Sequence, residues 1–194
     1  MTWLWPLRGV EPLFPDAIGR YGVRRRNETH TGVDLYCERG TPVLAVEDGV
    51  VTSIEVFTGP DVPDMPSPWW NDTKSVLVKG ATGVVAYGEV EPTVGVGDIV
   101  VAGQTIATVV PVLKKFKGRP MSMLHLELYT PETQWTAVAH GDDPLPENLR
   151  NPEPFLMHHN PTNFDLAEYD GVSYIDADAP RTPSRWWVHW GGKP

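Results

Sequence analysis

The apolar and polar positions of this chain alternate in short runs separated by glycine and proline. Residues 123–129, Met123-Leu124-His125-Leu126-Glu127-Leu128-Tyr129, are the clearest case. Period two sends the three leucines to one face and Met123, His125, Glu127 and Tyr129 to the other. The run Asp34-Leu35-Tyr36-Cys37 divides the same way, with Asp34 and Tyr36 opposite Leu35 and Cys37. Residues 42–46 and 49–56 are two β-rich runs broken by Asp48-Gly49, a sequence that predicts a hairpin. Residues 75–79 and 83–90, joined by a Gly80-Ala81-Thr82 turn, continue the pattern, as does the glycine-punctuated stretch 94–109. Short strands at this spacing predict a mainly β, antiparallel sheet.

The segments between them break regular structure. Residues 1–20 read as an apolar, proline-punctuated lead-in packed across the sheet. Residues 58–72 carry four prolines and the pair Trp69-Trp70, which predicts a long loop whose tryptophans could line a groove. A basic, proline-bounded loop that includes Arg119 follows at 111–122, and a short helix is expected near Pro146–Leu149. The aromatic run Trp186-Trp187-Val188-His189-Trp190 predicts a C-terminal segment docked on the domain. The expected division is a β domain at 1–157 and a packed extension at 158–194.

Composition narrows the classes. A chain of 194 residues holds one full domain with its own core. A formal charge of −9 disfavours nucleic acid, which wants a basic face. Against that balance Arg24-Arg25-Arg26 reads as a solvated loop. Cys37 is the single cysteine, so no intrachain disulfide forms, and a lone cysteine is expected as a small core residue. The N-terminus lacks the basic start and apolar run of a signal peptide, and no run reaches membrane-spanning length. A soluble protein is expected.

The candidate chemistry lies in His30-Thr31-Gly32-Val33-Asp34-Leu35 and in the His125 strand. Two imidazole nitrogens and one carboxylate oxygen suffice for a zinc ion with one position left open, and such an ion lowers a water pKa toward about 7. For His30 and Asp34 the rival reading is a turn cap, and for His125 a structural histidine. His140, His158 and His159 sit in proline-rich loops and are weaker candidates.

These motifs, with Gly40-Thr41-Pro42-Val43, Asp48-Gly49-Val50-Val51, Tyr87-Gly88, Gly97-Asp98-Ile99-Val100 and Gly103-Gln104, resemble the M23 family in order and rough spacing. That family comprises lysostaphin- and LytM-like zinc endopeptidases that cut peptidoglycan cross-bridges. The likeness runs over about residues 20–157, where Asn151-Pro152-Glu153-Pro154-Phe155-Leu156 resembles the family's closing segment. It implies an antiparallel sheet of the duplicated-hybrid-motif type with long loops, zinc as cofactor, a peptide or peptidoglycan substrate, and His30, Asp34 and His125 as ligands. The family adds two further histidines, and here their positions hold Met123 and Glu89.

Those two departures fall on proton transfer. A thioether has no exchangeable proton, so Met123 cannot supply one. Glu89 can, and strict alternation would place it beside Tyr87 and Glu91, away from Ala86, Gly88 and Val90. It reads as a substitute base, an extra ligand, or a polar residue outside the chemistry. Glu127 reads as a carboxylate that orients a neighbouring histidine or arginine. Two functions follow: a zinc endopeptidase with altered proton-transfer residues, in which Trp69, Trp70 and Arg119 contact substrate, or a silent zinc-containing domain that recruits a partner hydrolase. The glycine turns also resemble half of a biotinyl or lipoyl carrier, but Lys79-Gly80 lacks the flanking Met or Ala of the modified lysine.

Overall fold

The leucine face of the 123–129 run is where the fold begins, because a strand with one fully apolar face must cover it. In a computed structural model describing residues 3–10, 17–63, 66–115, 121–141 and 143–157, that run is strand β9 of a nine-stranded antiparallel sheet. The strands are β1 (Glu28–Thr29), β2 (Val33–Tyr36), β3 (Pro42–Leu44), β4 (Gly49–Val56), β5 (Lys74–Gly80), β6 (Val84–Pro92), β7 (Ile99–Val100), β8 (Thr105–Val109), β9 (Met123–Tyr129), β10 (Ala139–His140) and β11 (Leu149–Arg150). One short helix, α1 (Glu153–Leu156), closes the described chain. The main path runs β11-β9-β6-β5-β4-β7; β2 pairs with β9, and β8 pairs with both β3 and β6. β1 and β10 form a separate two-stranded ribbon.

Leu124, Leu126 and Leu128 are fully buried in the main core with Leu35, Cys37, Val76, Val78, Val85 and Tyr87. The N-terminal segment covers this face as expected. Trp3 and Leu7 are buried in the same core, and the segment bonds to the sheet through Leu4 N–H to Val46 O (2.8 Å) and Leu44 N–H to Pro6 O (2.8 Å). A smaller core of Leu77, Val84, Ala86, Tyr129 and Leu149 lies apart from it. Burial pushes the Cys37 thiol up to about 12, as befits an inert core residue.

Two expectations are corrected. The Asp48-Gly49 turn does not close a hairpin: β3 pairs with β8, while β4 pairs with β5 and β7. The backbone of Ala45 is taken by Gly103 and Gln104 instead, and Asp48 Oδ1 accepts from the Ala102 amide at 2.7 Å. The helix expected near Pro146–Leu149 is a single turn, because Leu149 and Arg150 pair with Tyr129 and Leu128; the helix forms at Glu153. No described helix is long and apolar enough to cross a membrane. The docked C-terminal run 186–190 lies outside the described residues.

Candidate metal centre

β2 and β9 pair so that Asp34 stands directly opposite His125 and Tyr36 opposite Met123. Paired residues share a face, so the chemistry-bearing side of β9 and the polar side of β2 coincide. His30 precedes β2 and is pinned by its backbone to the turn at 22–23: Gly22 N–H donates to its carbonyl at 2.9 Å, and its own N–H donates to Val23 O at 2.8 Å. Gly32 lets the pieces close up. A Cβ there would lie 2.7 Å from His125 Nε2 and 2.9 Å from Glu127 Cγ.

His30 Nε2, Asp34 Oδ1 and His125 Nδ1 form a small triangle. Its edges are 3.1 Å from His30 to Asp34, 3.1 Å from His30 to His125, and 2.9 Å from His125 to Asp34. All three residues are buried, and among the described residues they form the one cluster of three potential ligand atoms within 4.8 Å of each other.

The outer sides of the rings decide what the inner sides offer. His30 Nδ1–H donates to the Arg20 carbonyl at 2.7 Å, which leaves Nε2 as a lone pair. His125 Nε2–H donates to Glu127 Oε1 at 3.2 Å, and the Tyr129 hydroxyl donates to Glu127 Oε2 at 2.9 Å. Burial and the nearby Arg25 lower His30, so it stays neutral. Against burial, Asp34 and Glu127 raise His125 to about 10, which favours its protonated form beside Asp34. Also against burial, His30 and Arg25 hold Asp34 well below the usual carboxylate range. A cation bound by the three residues would displace a proton from His125. Tetrahedral zinc with bonds of about 2.0–2.1 Å needs ligand atoms about 3.3–3.4 Å apart, so the triangle needs to open by only a few tenths of an ångström. The donor set fits zinc.

Arg25 corrects the reading of the arginine triplet as solvated. Its side chain is 18% exposed and bonds to Asp34 Oδ2 and to Glu28 Oε1. Arg20 is buried as well, paired through two nitrogens with Glu153 of α1 at 3.2 and 3.0 Å.

Glu89 reaches its position through a bulge. Lys74 pairs with Val90 and Val76 with Tyr87, so Ser75 alone faces both Gly88 and Glu89. Strict alternation fails here: Tyr87 and Val90, three residues apart, both lie in the main core. Between them β6 changes its partner on one edge, from β9 at Gly88 to β8 at Val90. Glu89 takes φ 64°, the one described residue other than glycine with positive φ. A bulge of this kind re-aims a side chain. Glu89 is 7% exposed, and its Oε2 has no hydrogen-bond partner. Burial, and next the charge of Asp34, push it up to about 8. It is not among the three converging ligand atoms.

Of the expected groove residues, Trp69 and Trp70 lie on the loop that follows β4, Trp69 exposed and Trp70 bridged to Leu113 of the segment after β8, while Arg119 lies outside the described residues. The aromatic that meets the site is Phe57, with its ring 5.2 Å from that of His125. A Cβ on Gly88 would strike Phe57 at 2.6 Å. Phe57 carried no signal in the sequence, since it follows a strand and begins a loop. His140 is exposed on β10, opposite Glu28; His158 and His159 are outside the described residues.

The profile of peptidase family M23 matches residues 28–138, more than half of the chain. The chain belongs to peptidase family M23. Among solved structures, this M23 chain is similar to the catalytic domain of the antimicrobial peptidase lysostaphin from Staphylococcus simulans, at 21% identity over 66% of this chain and 79% of that one, with a TM-score of 0.43. A mutant catalytic domain of the prophage-encoded M23 protein EnpA from Enterococcus faecalis is 24% identical, over 60% and 77%, with a TM-score of 0.40. A zinc-containing peptidase from Vibrio cholerae is 22% identical, over 61% and 31%, with a TM-score of 0.38. No curated protein matches this M23 chain.

Proposed function

We propose that this M23 chain is a zinc-dependent endopeptidase acting on peptidoglycan-type peptides, with Glu89 in the proton-transfer position. The observation that carries the reading is the convergence of His30 Nε2, Asp34 Oδ1 and His125 Nδ1, with both outer imidazole nitrogens committed elsewhere. These three residues would hold zinc. Zinc bound there would polarise a peptide carbonyl and make water a nucleophile near neutral pH.

The substrate class rests on the family resemblance. Proton movement rests on Glu89, whose free carboxylate oxygen and shift to about 8 let it give or take a proton near neutral pH. Phe57 walls the site beside His125. Glu127, fixed by Tyr129, orients His125. Trp69, exposed on its loop, is the groove residue we assign to substrate contact.

One observation favours a second reading. Met123, on the same face as His125, cannot carry a proton, so a silent zinc-containing domain that recruits a partner hydrolase is the alternative.

Metal analysis and peptide cleavage separate the two. Wild type is expected to carry one zinc per chain, lost in His125→Ala, and to cut glycine-rich or cross-bridge peptides. Glu89→Gln is expected to lower that rate by about 10²-fold or more while keeping the zinc. An inert wild type rescued by Met123→His with Glu89→His would establish the silent reading. A wild type that binds no zinc would sink both.

A further inference from the structure

The two oxygens of Asp34 do different work. Oδ1 faces His30 and His125, while Oδ2 accepts from a terminal nitrogen of Arg25. That guanidinium is itself tied down. Its Nε and the same terminal nitrogen donate to the Ile18 carbonyl at 3.2 and 2.8 Å, and the other terminal nitrogen donates to Glu28 Oε1 at 3.1 Å. A planar fork with every arm engaged cannot swing away from Oδ2 without breaking several charge-assisted bonds.

A free carboxylate can hold a cation through one oxygen or through both. Both oxygens of Asp34 on one zinc would fill the position that a water or a substrate carbonyl needs. We propose that Arg25 sets the coordination number of the metal centre, holding Asp34 to one-oxygen ligation and so keeping a position on the ion open. Arg25 is a positioning residue, since it acts through Asp34 and touches neither substrate nor ion. The proposal rests on the reading of His30, Asp34 and His125 as a zinc site.

Cobalt(II) put in place of zinc tests it, because its visible bands report coordination geometry. Wild type is expected to show the strong bands of a four-coordinate centre. In Arg25→Gln, Oδ2 is free to join the ion, and the bands are expected to lose at least about half their intensity. Arg25→Lys, which keeps a charged donor for Oδ2, is expected to restore them. A merely structural Arg25 would lower the melting temperature and leave the cobalt spectrum as it was. A folded, cobalt-loaded Arg25→Gln with the wild-type spectrum overturns the proposal. Should that variant not fold, X-ray absorption on the zinc-loaded wild type decides. A short distance from zinc to a carboxylate carbon shows both oxygens bound and overturns it, and the lack of one supports it. A wild type that takes up neither metal removes the zinc site and the role of Arg25 together.

Discussion

Glu89 combines two costs at one residue. A side chain in the left-handed region costs about 1–3 kcal/mol, and a dry carboxylate oxygen adds desolvation. Its folded value near 8 lies above the ordinary glutamate value, so across that interval the folded metal-free chain keeps a proton that the unfolded chain has released. Its contribution to stability is therefore full in acid and is lost as pH rises toward 8. Glu89→Gln carries no such penalty. In metal-free protein it is expected to match wild type near pH 4.5 and to exceed it by on the order of 1–3 kcal/mol at pH 7.5, read by urea denaturation. Equal stability at both pH values would remove the burial argument. The sequence makes Glu89 visible, because the family resemblance implies a histidine at its position. Its direction was hidden, since alternation cannot reveal an extra residue in one strand. Arg25 was hidden for another reason: three arginines in a row look alike until the fold turns one of them toward Asp34.

At the scale of elements, α1 is short yet tied to the site. Glu153 accepts from Arg20 through both oxygens and from the Tyr21 amide at 3.1 Å, and the Arg20 carbonyl holds His30. Glu153→Ala removes the carboxylate that the Arg20 side chain and the Tyr21 amide share. The expected loss is about 1–3 kcal/mol, seen as a lower denaturation midpoint, with weaker zinc binding as the Arg20 backbone that holds His30 loosens. A midpoint within error of wild type would make the pair dispensable. This link was invisible in the sequence because its partners lie 133 residues apart and each looks like an ordinary surface charge. The β9 strand was legible for the opposite reason. Both of its faces carry their signal in seven consecutive residues, leucine on one and chemistry on the other. The Asp48-Gly49 turn misled because turn chemistry says that the chain reverses, not which strand receives it.

At the scale of the whole molecule, the end of the described chain packs on its N-terminal segment. Phe155 stacks on Trp3 at 4.9 Å, and Leu156 is fully buried in the main core. A chain ended after Met157 is therefore expected to fold and to bind one zinc, checked by melting and metal analysis. Loss of the fold would assign residues 158–194 to the domain itself. The pairing of β2 with β9 carries a consequence for time as well as for place. Asp34 and His125 are 91 residues apart in the chain, and six strands lie between their two strands. An ion held by both strands could not seed so distant an encounter, because loop closure must come first. An ion bound there would arrive once the sheet is complete and would serve as a latch, slowing escape from the native state without hastening the way in.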